Sequence, residues 1–222
     1  MPETDYERYI RTEELLSLQK RPEELAHPDE LLFQVIHQTF ELWFKICLND
    51  AGEIRRHLGA GRLQRAAHLL RRMALTLGVL TDQLAVLETM TPADYHVIRL
   101  ALGRGSGQDS PGFNQMLRIG EPLWEAFQGV LAKSGKTLLE VHERPDEQYD
   151  LFQTVQGLME LDERFVRWRF CHFQLVRRVI GEEVRSLKGV PAAQLVHGMR
   201  EYLFPDLWAV INVVTRRTGP QY

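Results

Sequence analysis

The sequence predicts an all-α protein, a bundle of long helices. Apolar residues recur with a period near 3.6 in almost every segment. No alternating run of useful length marks a strand. The strongest breakers, Gly59 to Gly61 and the Gly103 to Gly112 stretch, fall between long periodic segments rather than inside them. With 222 residues, 44% of them hydrophobic, the chain suffices for one well-filled core, read as a single domain over 1–222. A charged fraction of 26% and a net charge of −3 belong to an ordinary soluble protein and give no basic surplus for nucleic acid. No run of 18 apolar residues spans a membrane. The first thirty residues carry Glu3, Asp5, Glu7 and Pro22 without an apolar stretch, so a cytoplasmic protein is expected.

Tyr6 to about Gln19 reads as a short helix with Tyr9, Ile10, Leu15, Leu16 and Leu18 as its apolar positions. Pro28 fits the first turn of a long helix to about Leu58, with Asp29 and Glu30 favouring its positive end. Leu63 to about Glu88 forms a second long helix. Thr91-Pro92-Ala93-Asp94 is a helix start, with Thr as cap and Pro at the first position, and opens a helix from Tyr95 to Leu102. After the glycine-rich loop, Phe113 to Arg118 and Leu123 to Lys133 are short helices. Asp150 to Ile180 is one or two helices ending at Gly181. Ala192 to Leu203 and Asp206 to Val214 follow. Cys47 and Cys171 lie in apolar helical runs and read as free, buried thiols.

Two helical faces carry chemistry. On the late helix, Phe165, Trp168, His172, Leu175, Val176 and Val179 share one side, with Arg164, Arg167, Gln174 and Arg178 opposite. On the early helix, Phe33, His37, Phe40 and Phe44 share a side. A buried neutral imidazole with a free nitrogen is what an iron porphyrin requires of a protein. On periodicity alone each face is more often that of a core histidine bonded to a neighbour, and the pattern leaves both readings open. A pair of such helices offers two axial ligands, or one ligand and one distal polar group. Tyr95 and Arg99 stand one turn apart, and an arginine there suits a carboxylate. No CxxCH is present, so a haem would not be attached through that motif.

The chain resembles the tryptophan 2,3-dioxygenases, within the histidine-ligated haem-dependent aromatic oxygenases. The matching segments run in family order. They are Tyr6-x-x-Tyr9-Ile10 with Leu15-Leu16-x-x-Gln19; His27-x-Asp29-Glu30-x-Leu32-Phe33; and His37-Gln38-Thr39-x-Glu41-Leu42-Trp43. Next come Leu87-Glu88-Thr89-Met90-Thr91-Pro92-x-x-Tyr95-x-x-x-Arg99 and Leu102-Gly103-x-x-Ser106-Gly107. Trp168-Arg169-Phe170-x-His172 with Val179-Ile180-Gly181, and Phe204-Pro205-x-Leu207, complete them.

The resemblance implies a b-type haem with His172 as its iron ligand, and Trp168, Ser106 and Gly107 beside it. It implies that His37 bonds the substrate indole N–H, Phe33 and Tyr95 line the indole pocket, and Arg99 holds the substrate carboxylate. It implies that Ser186 stands where the family has a threonine that meets the substrate ammonium. Tyr6, Tyr9 and Ile10 correspond to a segment that reaches a neighbouring subunit's site, within a homotetramer. The implied substrates are tryptophan or a close derivative and O2, and the implied product is N-formylkynurenine.

The sequence departs from the family in three respects. Val184-Arg185-Ser186-Leu187-Lys188-Gly189-Val190 lacks most glycines of the family's closing loop. The stretch between the glycine loop and the late helix is shorter. Leu84 and Gln108 stand where the family carries aromatic residues. These departures keep open a monooxygenase of a modified tryptophan or other aromatic amino acid, and a haem-binding protein without turnover.

Overall fold

The structure is a computed structural model that describes residues 3–103, 105–181 and 201–218. Ten α-helices lie among those residues, with short 3-10 turns at Pro22–Glu24 and Gly107–Asp109. They are α1 (Asp5–Ile10), α2 (Thr12–Leu16), α3 (Glu30–Gly59), α4 (Leu63–Leu87), α5 (Pro92–Ala101), α6 (Pro111–Met116), α7 (Gly120–Ser134), α8 (Leu138–Glu143), α9 (Tyr149–Val179) and α10 (Pro205–Thr218). Among the described residues there is no strand, and the all-α expectation holds. No single described helix is long and apolar enough to cross a membrane.

Three long helices make the frame. α4 is the central one: Leu69, Leu70, Met73, Leu77, Leu80, Leu84 and Leu87 repeat at helical spacing and are all buried. It packs on α3 on one side and on α9 on the other. The α3–α4 turn closes at Gly61, whose φ of 69° is left-handed backbone that glycine adopts without strain. The two antiparallel helices are registered by Arg72 Nε donating to the buried Asp50 Oδ2 at 2.7 Å, and by Thr39 Oγ1 donating to Gln83 Oε1 at 3.1 Å. On α9, Gly157 faces α4; a Cβ there would stand 3.0 Å from Leu70 Cβ, so glycine permits the close approach. At 31 residues α9 is about 46 Å long. It is one uninterrupted helix, which decides between the one and two helices that the sequence allowed.

The N-terminal segment before α3 differs from expectation. Tyr6 to Gln19 is two short helices broken at Arg11, which stands at φ 55° and ψ 51°. Neither buries a residue, so nothing holds the chain in one helix. Pro28 lies in the turn before α3, where Glu30 N–H already donates to the His27 carbonyl at 2.9 Å. The stretch leading into α3 is stitched to it: Gln19 Nε2 donates to Gln38 Oε1 at 2.6 Å, Lys20 N–H to Gln34 Oε1 at 2.9 Å, and Lys20 Nζ to the buried Glu30 at 2.6 Å.

At the other end, Leu203 is not helical, and residues 182–200 lie outside the description. α8 was not anticipated; Thr137 caps it through a capping box with Glu140. The buried Asp162 of α9 accepts N–H groups from Leu203 at 2.9 Å, Phe204 at 3.1 Å and the Trp208 indole at 2.9 Å, fixing the start of α10. Both cysteines are free, Cys47 buried and Cys171 only half-buried. Burial, with Asp50 nearby, pushes the Cys47 thiol up to about 12.

Candidate active site

α3 and α9 meet through aromatic side chains rather than close backbone packing. Phe40 and Phe44 of α3 set their rings edge-on to Trp168 of α9, at 6.0 and 5.7 Å between centroids. Phe113 of α6 reaches the same indole at 5.3 Å. Trp168 stacks on His172, with centroids 5.3 Å apart and planes 11° from parallel. The stack follows from spacing, since residues four apart on a helix lie one above the other.

His172 makes no hydrogen bond among the described residues, and burial pulls its pKa down to about 4, with His37 adding to the shift. The imidazole is therefore neutral, with lone-pair capacity, at neutral pH. Trp168 Nε1 beside it is buried without a partner among the described residues. A neutral, uncommitted imidazole next to an orphaned donor fits a bound group that carries both a metal and acceptor atoms. The residues present thus suit a haem, whose iron His172 would hold.

His37 is arranged differently. Its Nδ1 lies 2.7 Å from the Phe33 carbonyl oxygen. A carbonyl only accepts, so Nδ1 carries the proton and Nε2 is left as an acceptor. Burial holds its pKa below the usual 6.5, against an opposing pull from Glu41. The Phe33 ring lies 4.0 Å from the imidazole and 5.9 Å from Tyr95.

Tyr95 comes from α5, whose start is capped by Thr91 Oγ1 accepting the Asp94 N–H at 3.2 Å. Asp94 also faces His27 Nε2 at 3.4 Å, which ties α5 to the lead-in of α3. Burial raises the Tyr95 phenol, while Arg99 one turn on lowers it. Arg99 itself is half-buried. The structure therefore brings Phe33, His37 and Tyr95 together on one side and Trp168 with His172 on the other.

Ser106 and Gly107 sit on the turn before α6, where Asp109 Oδ2 accepts the Ser106 N–H at 3.1 Å. Tyr6, Tyr9 and Ile10 are not packed in this interior; Tyr9 is 89% exposed and Tyr6 71%. Ser186 and the rest of Val184 to Val190 lie outside the described residues. Leu84 is buried in α4. A surface groove lined by Gln156, Glu163 and Arg167 is on the side of α9 away from His172 and is not part of this site.

Sequence reasoning gave no role to Glu41, whose carboxylate holds the start of α6. The signal was present, an acid one turn past an inward histidine. Nor did it single out Arg169, which is buried over the Phe165 ring and donates to the Glu201 carbonyl.

The family model for tryptophan 2,3-dioxygenase matches residues 1–122. This chain belongs to the tryptophan 2,3-dioxygenase family. Relatives named tryptophan 2,3-dioxygenase occur in Erythrobacter litoralis (28% identical, covering 94% of this chain and 98% of the relative). Others are from Saccharopolyspora erythraea (29%, covering 94% and 92%) and Ruegeria pomeroyi (31%, covering 91% and 90%). The family is one of haem-dependent oxygenases, in line with the imidazole pair. The alignment to the first of these spans 261 positions against a chain of 222, so this is a short member.

Proposed function

We propose that this protein is a haem b-dependent oxygenase of L-tryptophan or a close derivative. It adds both atoms of O2 across the indole 2,3-bond to give an N-formylkynurenine-type product. One observation carries the reading: facing histidines of opposite readiness, His172 uncommitted and His37 with Nδ1 spent on the Phe33 carbonyl.

Residues 1–222 act as one domain. His172 would hold the iron, with Trp168 on one side and Ser106 and Gly107 at the edge. The haem, when bound, supplies the activation of O2 that no protein side chain provides. The chain's own residues bind and orient the substrate. His37 Nε2 accepts the indole N–H; Phe33 and Tyr95 enclose the ring and exclude water; and Arg99 takes the carboxylate through two parallel hydrogen bonds. Ser186 would meet the ammonium group. Anchoring both ends of the amino acid fixes the ring against the oxygen, and that positioning is the protein's main contribution to rate.

Tyr6, Tyr9 and Ile10 would complete the site of a neighbouring subunit in a homotetramer. Their exposure supports this, as does an outward apolar stripe on α3 and α4 formed by Leu31, Val35, Leu42, Leu75, Val79 and Val86.

The test is product mass from reduced, haem-loaded protein with L-tryptophan under 18O2. Two labelled oxygens in a ring-opened product are expected. One labelled oxygen, formed only from a substituted tryptophan or another aromatic amino acid and only with a reductant, would establish the monooxygenase instead. The glycine-poor Val184 to Val190 sequence is what favours that second reading. Haem binding without oxidation of any aromatic amino acid would leave a non-catalytic haem protein.

A further inference from the structure

Glu41 lies one turn beyond His37 on α3, on the same face. Both of its carboxylate oxygens are engaged by the start of α6. Ser110 Oγ donates to Oε1, and the Gly112 N–H donates to Oε2 at 3.0 Å. Ser110 also caps α6, its Oγ accepting the Phe113 N–H at 3.1 Å. The approach is close: a Cβ on Gly112 would stand 2.6 Å from Glu41 Oε2 and 2.8 Å from Phe44 Cβ. One carboxylate thus clasps a turn that is about seventy residues away in sequence.

Two structures hang from that clasp. Behind Ser110 the chain runs back through Asp109, which holds the Ser106 N–H, to Gly107. Ahead of it, Phe113 reaches Trp168, and Trp168 stacks on His172. Glu41 is where the helix of His37, the Ser106–Gly107 turn and the aromatic wall beside His172 are tied together.

We propose that Glu41 is a positioning residue for the oxygenase site, setting where the Ser106–Gly107 turn and the Phe113 ring stand relative to His37. The kinetic part of this inference rests on the proposed activity; the spectroscopic part needs only bound haem. A carboxylate suits the place because both partners are donors. Glutamine keeps one acceptor oxygen, and the Ser110 hydroxyl can rotate to accept from the amide. Alanine leaves the Gly112 N–H and the Ser110 hydroxyl proton without this acceptor.

The test uses the haem-loaded full chain as wild type, Glu41→Ala, Glu41→Gln, Ser110→Ala and the Glu41→Ala/Ser110→Ala double variant. The infrared stretching band of carbon monoxide on the ferrous protein reads the surroundings of His37 without turnover. KM and kcat for L-tryptophan are measured on the same samples. Glu41→Ala, with helical circular dichroism intact, is expected to shift or broaden the carbon monoxide band. It should raise KM at least tenfold with kcat changed less than threefold. Glu41→Gln should recover most of both effects. Ser110→Ala should move them in the same direction, and the losses in the double variant should fall short of the sum of the two single losses, because the two residues share one contact while Ser110 separately caps α6.

A folded Glu41→Ala protein with the wild-type band or the wild-type KM would overturn the proposal, and so would fully additive losses in the double variant. Should Glu41→Ala fail to fold, Glu41→Gln and Ser110→Ala decide by the same two readouts. A wild-type protein that binds haem and oxidises no tryptophan defeats the functional reading alone, and the carbon monoxide band still decides the role of Glu41.

Discussion

His37 and His172 are the same residue on the same kind of amphipathic, aromatic-lined helix, yet the fold treats them differently. His37 spends Nδ1 on the carbonyl one turn back and keeps Nε2 as an acceptor. His172 is held by stacking on Trp168 and makes no hydrogen bond among the described residues. A nitrogen committed to the backbone fixes tautomer and orientation, which suits recognition of a donor. A ring held by its face alone has neither nitrogen committed, so a bound group can engage either. The contrast shows that similar apolar settings leave two imidazoles in different hydrogen-bonding states; which of them holds iron and which meets the substrate belongs to the proposal above.

The largest expected effect follows from that asymmetry. His172→Ala should lose haem entirely during gel filtration, as read by the Soret band; a normal band would exchange the roles of the two histidines. Arg99→Ala should weaken tryptophan binding by roughly 2 to 4 kcal/mol through loss of a charge-assisted pair. An unchanged KM would place the carboxylate elsewhere. Gly112→Ala should lower thermal stability by about 1 to 3 kcal/mol, because the new methyl meets Glu41 and Phe44. Unaltered unfolding would mean that the α3–α6 approach is looser than the structure has it.

His37→Ala should keep its haem and lose about tenfold in turnover, the worth of one hydrogen bond of about 1.5 kcal/mol. Haem loss in this variant would erase the comparison between the two sites.

The smallest effect is in pH. The His37 pKa lies below its unfolded value of 6.5, because burial disfavours the cation. The unfolded chain thus binds the proton first, and the contribution of His37 to stability is complete above pH 6.5. It is lost as pH falls through the folded pKa. KM for tryptophan should accordingly stay level down to about pH 6.5 and rise only below it. A rise that begins above pH 7 would mean His37 is not the group that titrates.

The elements most legible in the sequence were the longest. α3, α4 and α9 each repeat their apolar residues over many turns, and the structure moves their ends by only a residue or two. Short segments were less legible because few turns carry the pattern. Tyr6 to Gln19 has helical spacing but no core to face, and the chain breaks at Arg11. α8 depends on a capping box around Thr137 that the apolar pattern does not reveal. Among site residues, Phe33, His37, Trp168 and His172 could be read as inward positions, and the family motifs marked Tyr95 and Arg99. That Phe113 leans on Trp168, or that Glu41 grips Ser110 and Gly112, depends on pairs far apart in the chain.

By itself, then, the sequence determined the long helices, their inward faces and the family, because each is written in local spacing and residue type. Only the tertiary structure decided which inward faces meet and which nitrogen of each histidine is already taken. Hydrogen bonds and ring contacts depend on distances of a few ångströms between segments, and those distances exist only once α4 has brought α3 and α9 to its two sides.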